Sequence, residues 1–311
     1  MTEFLREPAL FPARIAGETW GSQRCELVLA GETFRIEGLS EQQLRGLAER
    51  YGSRLQEPSD TNPAAVLQMF RAPASDFLEI DTRGWEYWVD LQWSETGFSL
   101  SGMRVMARAD AGRAGIWTCV EEPGELSGVV ENVLRPLLAA RLLSTGGLLV
   151  HSAAVNGSLF AGRSGDGKST MARLGLEAGL PVLSDDLNAL VPDGKHFAIA
   201  PLPFTGDLEP HEVSNEQTPL RGVFGLEKGD REEVRPMMLA ATVSLLVRCA
   251  PYVNQDPLRM PLLLDRAAAV AAGTTRGMVT FRRDGHVWPI LDVGLHAHQH
   301  AEPDPAEPPR H

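Results

Sequence analysis

The chain has 311 residues, 43% of them hydrophobic and 23% charged, with only three cysteines. This composition excludes a disordered, collagen-like or disulfide-scaffold protein. A formal net charge of −12 argues against a nucleic-acid partner. No apolar run approaches the ~20 residues of a membrane helix, and the N-terminus lacks the apolar stretch of a signal peptide, so a cytoplasmic protein with no membrane partner is expected.

The first half reads as a β-rich α+β domain over residues 1–122. CELVLA and ETFRIEG carry strand patterns, and SEQQLRGLAERYGSRL reads as a short helix capped by Ser40. GWEYWVDLQW alternates, with Trp85, Tyr87, Val89, Leu91 and Trp93 on one face and Glu86, Asp90 and Gln92 on the other. Five of the six tryptophans precede residue 120 and are expected in a core. Cys25, Cys119 and Cys249 lie far apart with no CxxC, which predicts buried free thiols.

EEPGELSG marks a boundary, and a second domain is expected over 123–291. It opens with Leu126, Val129, Val130, Val133, Leu134, Leu137 and Leu138 at helical spacing, a helix that ends near Gly146-Gly147. LLVHSAAV and SLFA are two apolar runs joined by Asn156-Gly157, the signature of a tight type I′ hairpin. The tail from 292 to 311 is rich in proline, alanine and acids and is expected to be disordered. Its His296, His298 and His300 are either metal ligands or, more simply, part of a solvated tail.

SLFA runs straight into GRSGDGKST. Gly162, Gly167, Lys168 and Ser169 satisfy G-x-x-x-x-G-K-[ST], a pattern that cradles phosphates. Glycines allow the tight turn that points backbone N–H groups at phosphate oxygens. The helix that follows, from about Lys168 to Glu177, adds its positive end. Gly162, Arg163, Ser164, Gly165, Asp166, Gly167, Lys168, Ser169 and Thr170 are therefore the candidate nucleotide-binding residues. Lys168 would reach the β- and γ-phosphates and Ser169 would ligate Mg²⁺. Only three of the 29 basic residues are lysines, Lys168, Lys195 and Lys228, so lysine at the pattern's key position is informative.

Leu180 to Ser184 reads as a short buried strand, and Asp185-Asp186 follow directly. Two acids at a strand end beside such a loop suit holding Mg²⁺ and accepting a hydroxyl proton. Alternatively they cap a surface turn. Arg163, Arg221 and Arg248 are candidates for neutralising charge on a transferring phosphoryl group.

A histidine on the strand before the loop (His151), the loop itself with Ser164 and Gly165, and an Asp-Asp pair 17 residues beyond Lys168 resemble the HPr kinase/phosphorylase family. The strong resemblance covers about 45 residues and continues weakly through PLRGVFGLEKGDREEVRPM. It implies an HPr-kinase-like phosphate-loop domain with a mixed sheet, and an enzyme using ATP and Mg²⁺ to phosphorylate a hydroxyl. By that resemblance Asp185 is the base, Asp186 with Ser169 supports the metal, and His151 orients or charges the acids. The acceptor would be a serine of a peptide or protein, or else a small hydroxyl compound, and a homo-oligomer is implied. Thr170 stands where regulatory members usually carry Glu, and the first 120 residues show no resemblance. Two other classes fit the same loop: a nucleotide-dependent switch, and a carboxykinase-like enzyme acting on a small acid.

Overall fold

A computed structural model describes residues 4–6, 16–79, 89–204, 206–209, 213–283 and 287–291. It shows a mixed α/β chain of two compact units, residues 1–141 and 142–311. The division falls inside the helix Pro123–Ser144, later than the 122/123 boundary read from the sequence. Trp85, Tyr87, Glu86 and the histidines of the tail lie outside the described residues.

The N-terminal unit holds strands β1 (Gln23–Leu29), β2 (Glu32–Leu39), β3 (Leu55–Gln56), β4 (Ala65–Arg71), β5 (Asp90–Trp93), β6 (Gly97–Gly102), β7 (Val105–Asp110) and β8 (Arg113–Thr118). They form one sheet in the order β3-β1-β2-β4-β8-β7-β6-β5, in which only β2–β4 and β4–β8 pair in parallel. Helix α1 (Glu41–Tyr51) starts at a capping box. The Ser40 hydroxyl accepts the Gln43 N–H, and the Gln43 side chain accepts the Ser40 N–H. Trp117 is buried and stacks on Phe70 at 5.2 Å. Trp20 and Trp93 are only half-buried, so the tryptophans are not uniformly core.

One buried polar network crosses this unit. Glu26 on β1 accepts Arg35 Nε at 2.9 Å and Arg35 Nη2 at 2.6 Å from β2. Its other oxygen accepts the Ser59 hydroxyl at 2.8 Å. Neighbouring Cys25 is buried, and burial, with Glu57 and Glu26 adding to it, pushes its thiol up to about 12, so it stays protonated. Cys119 is only partly buried, against expectation, because it lies just past the end of β8.

The C-terminal unit begins with the end of helix α2 (Pro123–Ser144). Its strands are β9 (Leu148–Val155), β10 (Ser158–Ala161), β11 (Val182–Ser184), β12 (Leu187–Asp193), β13 (His196–Ala200), β14 (Thr218–Pro219), β15 (Gly222–Lys228), β16 (Glu233–Pro236) and β17 (Thr275–Phe281). The sheet runs β14-β13-β12-β9-β10-β15-β17-β16, with β11 paired to β9. It is mixed, because β10–β15 and β15–β17 are parallel and the rest antiparallel. Asn156 and Gly157 both take positive φ, as the tight turn between β9 and β10 requires. Helix α3 (Lys168–Glu177) packs on this sheet through Met171, Ala172 and Leu174, in one core with Phe160, Val182, Phe224 and Phe281. The approach to β9 is close: a Cβ on Gly175 would lie 2.6 Å from Val155 Cγ1. Helices α4 (Leu239–Arg248) and α5 (Met260–Ala272) pack against each other. Among the described residues no helix is long and apolar enough to cross a membrane.

Candidate functional site

Strand β10 ends at Ala161 and the chain turns through 162–167 into α3, the strand–loop–helix order the pattern needs. Two glycines make the turn possible. Gly165 has φ +83° and open space around it. Gly167 has φ +109°, and a Cβ there would meet Phe281 Cζ at 2.6 Å. Lys168 is 7% exposed, and its ammonium folds back over the loop, donating to Gly162 O at 3.2 Å and Arg163 O at 3.0 Å. Burial holds its pKa below the ordinary lysine range, although Cys249, Asp166, Asp186 and Asp185 pull the other way. The Asp166 carboxylate accepts the Arg163 N–H, closing the loop on itself. Cys249, under the loop, points its thiol at Gly162 O at 3.8 Å.

The acids arrive through the sheet. Leu187 pairs with His151 across β12 and β9, so Asp186 falls beside the histidine. His151 Nε2 lies 3.4 Å from Asp186 Oδ1. Burial, then the Lys168 charge, lower the His151 pKa despite the two acids, so the imidazole is neutral at neutral pH. The two carboxylates differ. Asp185 is 3% exposed, and its oxygens accept the N–H groups of Gly206 at 2.9 Å and Asp207 at 3.0 Å. The Asp186 side chain is 26% exposed.

These groups meet in one cleft of about 360 Å³. His151, Ser164, Gly165, Gly167, Lys168, Ser169, Thr170, Asp185 and Asp186 line it. Three of the expected loop residues do not line it. Gly162 is the first residue of the loop, Asp166 accepts the Arg163 N–H, and Arg163 is exposed outside the lining. Nor do Arg221 and Arg248 line it. Arg221 packs against Gly157, at the end of β10 remote from the loop, and Arg248 ends α4 in solvent.

Sequence reasoning missed Gly206, Asp207 and Lys228, which complete the lining. The first two follow β13 in a segment with no periodic signal. The third had one signal, the scarcity of lysine in this chain.

The residues present fit a nucleotide and its metal. The first-turn N–H groups of α3 have no intrahelical acceptors, and the open space at Gly165 leaves room for oxygens. Among the described residues no group of three or more His, Cys, Asp or Glu side chains forms a ready-made metal site. A nucleotide-bound Mg²⁺ does not need one, since it uses one or two protein oxygens together with phosphate and water.

Comparison with known proteins adds little. No protein-family model matches the chain, and no curated protein matches it. Among solved structures it is similar to the HPr(Ser) kinase/phosphatase from Coxiella burnetii, at 13% identity and a TM-score of 0.26. That match covers 49% of this chain and 95% of the other.

Proposed function

We propose that the chain is an HPr-kinase-like phosphotransferase that moves the γ-phosphoryl group of ATP to a hydroxyl, with a serine of a peptide or protein as the leading acceptor. The observation that carries this reading is one cleft holding both the loop-and-lysine phosphate cradle and an adjacent pair of acids beside a neutral histidine. A switch needs the cradle alone, whereas transfer to a hydroxyl needs a proton acceptor within reach.

In this reading Lys168, with the loop and first-turn N–H groups, orients the triphosphate and spreads its charge. The roles of the acids are exchanged relative to the sequence expectation. Asp185 is buried and committed to two backbone N–H groups, so it anchors the 206–207 turn as a fixed charge. Asp186 is the more accessible, stands against His151, and takes the hydroxyl proton. Ser169 and Asp185 would hold Mg²⁺, which when bound would neutralise charge on the transferring phosphate. His151 is uncharged and orients Asp186 without competing for phosphate.

The test is transfer from γ-labelled Mg-ATP into protein, peptide and small-molecule fractions of a cell extract, with wild type beside Asp186→Asn. Label entering one fraction with wild type alone supports the kinase and names its acceptor class. Bound ATP with release of free phosphate only would favour the switch.

A further inference from the structure

We infer that Lys228, at the end of β15, is a second cationic contact for the terminal phosphoryl group, facing the acids across the glycine loop. This deepens the kinase reading and rests on it. The sheet places the residue. Ala161, the last residue of β10, pairs with Gly225 of β15. The chain leaves β10 there to form the loop, while β15 continues through Leu226 and Glu227 to Lys228. Three residues at ~3.3 Å each carry Lys228 about 10 Å past the end of β10, alongside the loop.

The face is set as well. Lys228 pairs with Phe281 of β17, and ladder partners share a face of the sheet. Phe281 is the residue that closes on Gly167. The preceding residue, Glu227, points to the opposite face, where it accepts Thr280 Oγ1 at 3.2 Å and pairs with Arg235. Lys228 is left to the cleft, where it is one of the lining residues. It has no ion-pair partner among the described residues and is exposed.

The sheet order β12-β9-β10-β15 puts the loop between the two sides. Asp185 and Asp186 stand on the β9–β12 side and Lys228 on the β15 side. In the transfer, the acceptor oxygen forms a bond to the γ-phosphorus and its proton passes to Asp186. The bond from that phosphorus to the β,γ-bridging oxygen breaks, and the electron pair leaves on ADP. Lys168 is tied to the loop carbonyls at one end of the phosphate chain. Lys228 faces the γ-phosphoryl oxygens, the role sought among the arginines and filled by none of them.

The experiment measures the dissociation constants of Mg-ATP and Mg-ADP by titration calorimetry on the full chain, for wild type, Lys228→Ala and Lys228→Arg. A contact to the γ-phosphoryl predicts that Lys228→Ala weakens ATP about tenfold, the ~1.4 kcal/mol of one charge-assisted contact, and leaves ADP within twofold. Lys228→Arg restores most of the preference. An unchanged ATP-to-ADP ratio in Lys228→Ala overturns the inference while leaving the kinase reading intact. A wild type that binds neither nucleotide overturns both.

Discussion

The N–H of Gly206 donates to Asp185 Oδ1 at 2.9 Å, and Gly206 approaches so closely that a Cβ there would lie 3.2 Å from both carboxylate oxygens. Asp185 is thus part of the architecture of the cleft. Asp185→Asn puts an amide donor against one of two backbone donors. It should cost about 1–3 kcal/mol, the penalty for a buried group left unsatisfied. Asp186→Asn should leave the melting temperature near wild type and reduce phosphoryl transfer by roughly 10²–10⁴-fold, with ATP affinity retained. Thermal unfolding and labelled transfer on the two variants separate the roles. An Asp185→Asn protein as stable as wild type would show that the two N–H contacts do not hold the turn.

Lys168 sits where burial already disfavours its charge, and its ammonium donates to the loop carbonyls of Gly162 and Arg163. Lys168→Met removes the cation while keeping most of the volume. Nucleotide affinity should fall by about ten- to a hundredfold, as for loss of a charge-assisted contact. Fluorescent-nucleotide titration reads this directly. The fold should survive, because a buried ammonium is replaced by an apolar chain of similar reach.

Gly167→Ala tests the cradle itself. A side chain there meets both a left-handed backbone at φ +109° and the Phe281 ring. The loop must open or Phe281 must leave the core it shares with Met171. Nucleotide binding should be lost below detection, with the protein destabilised by about 1–3 kcal/mol. Gly179→Ala is the control. It also has positive φ, +69°, but no atom within 4 Å of a Cβ, so it should cost about 1 kcal/mol and leave binding alone.

Much of this site was legible because its parts are local. The strand, the glycine loop, the helix from Lys168 to Glu177 and the Asn156-Gly157 turn all obey short-range rules, and the structure places each as read. The Ser40 cap is equally local. What escaped depends on long-range pairing. Lys228 joins the cleft only because β15 lies parallel to β10, with a register that no spacing encodes. Gly206 and Asp207 arrive on a return from β13. The different surroundings of Asp185 and Asp186 follow from that return as well. Adjacent residues with identical side chains look alike in sequence until a third segment picks one of them.

The Glu26–Arg35–Ser59 network gives the N-terminal unit a predictable response to acid. Burial alone would raise the Glu26 pKa. The Arg35 guanidinium and the two Ser59 donors outweigh it and hold the carboxyl below its ordinary 4.5. A folded pKa below the unfolded one means that the ionised carboxylate stabilises the fold above pH 4.5. That contribution is lost as pH falls through the lower folded value. Glu26→Gln leaves Arg35 facing a neutral amide, but Arg35 keeps its bonds to the Ser59 and Thr61 carbonyls. The variant should therefore lose about 3 kcal/mol at neutral pH, the low end for breaking a buried pair. Its deficit should shrink as pH drops below 4.5, where wild type loses the same contribution. Denaturant unfolding followed by tryptophan fluorescence reports on this unit, since five of the six tryptophans precede residue 120. A deficit that stays constant between pH 7 and pH 3 would show that Glu26 stabilises by shape and packing rather than by its charge.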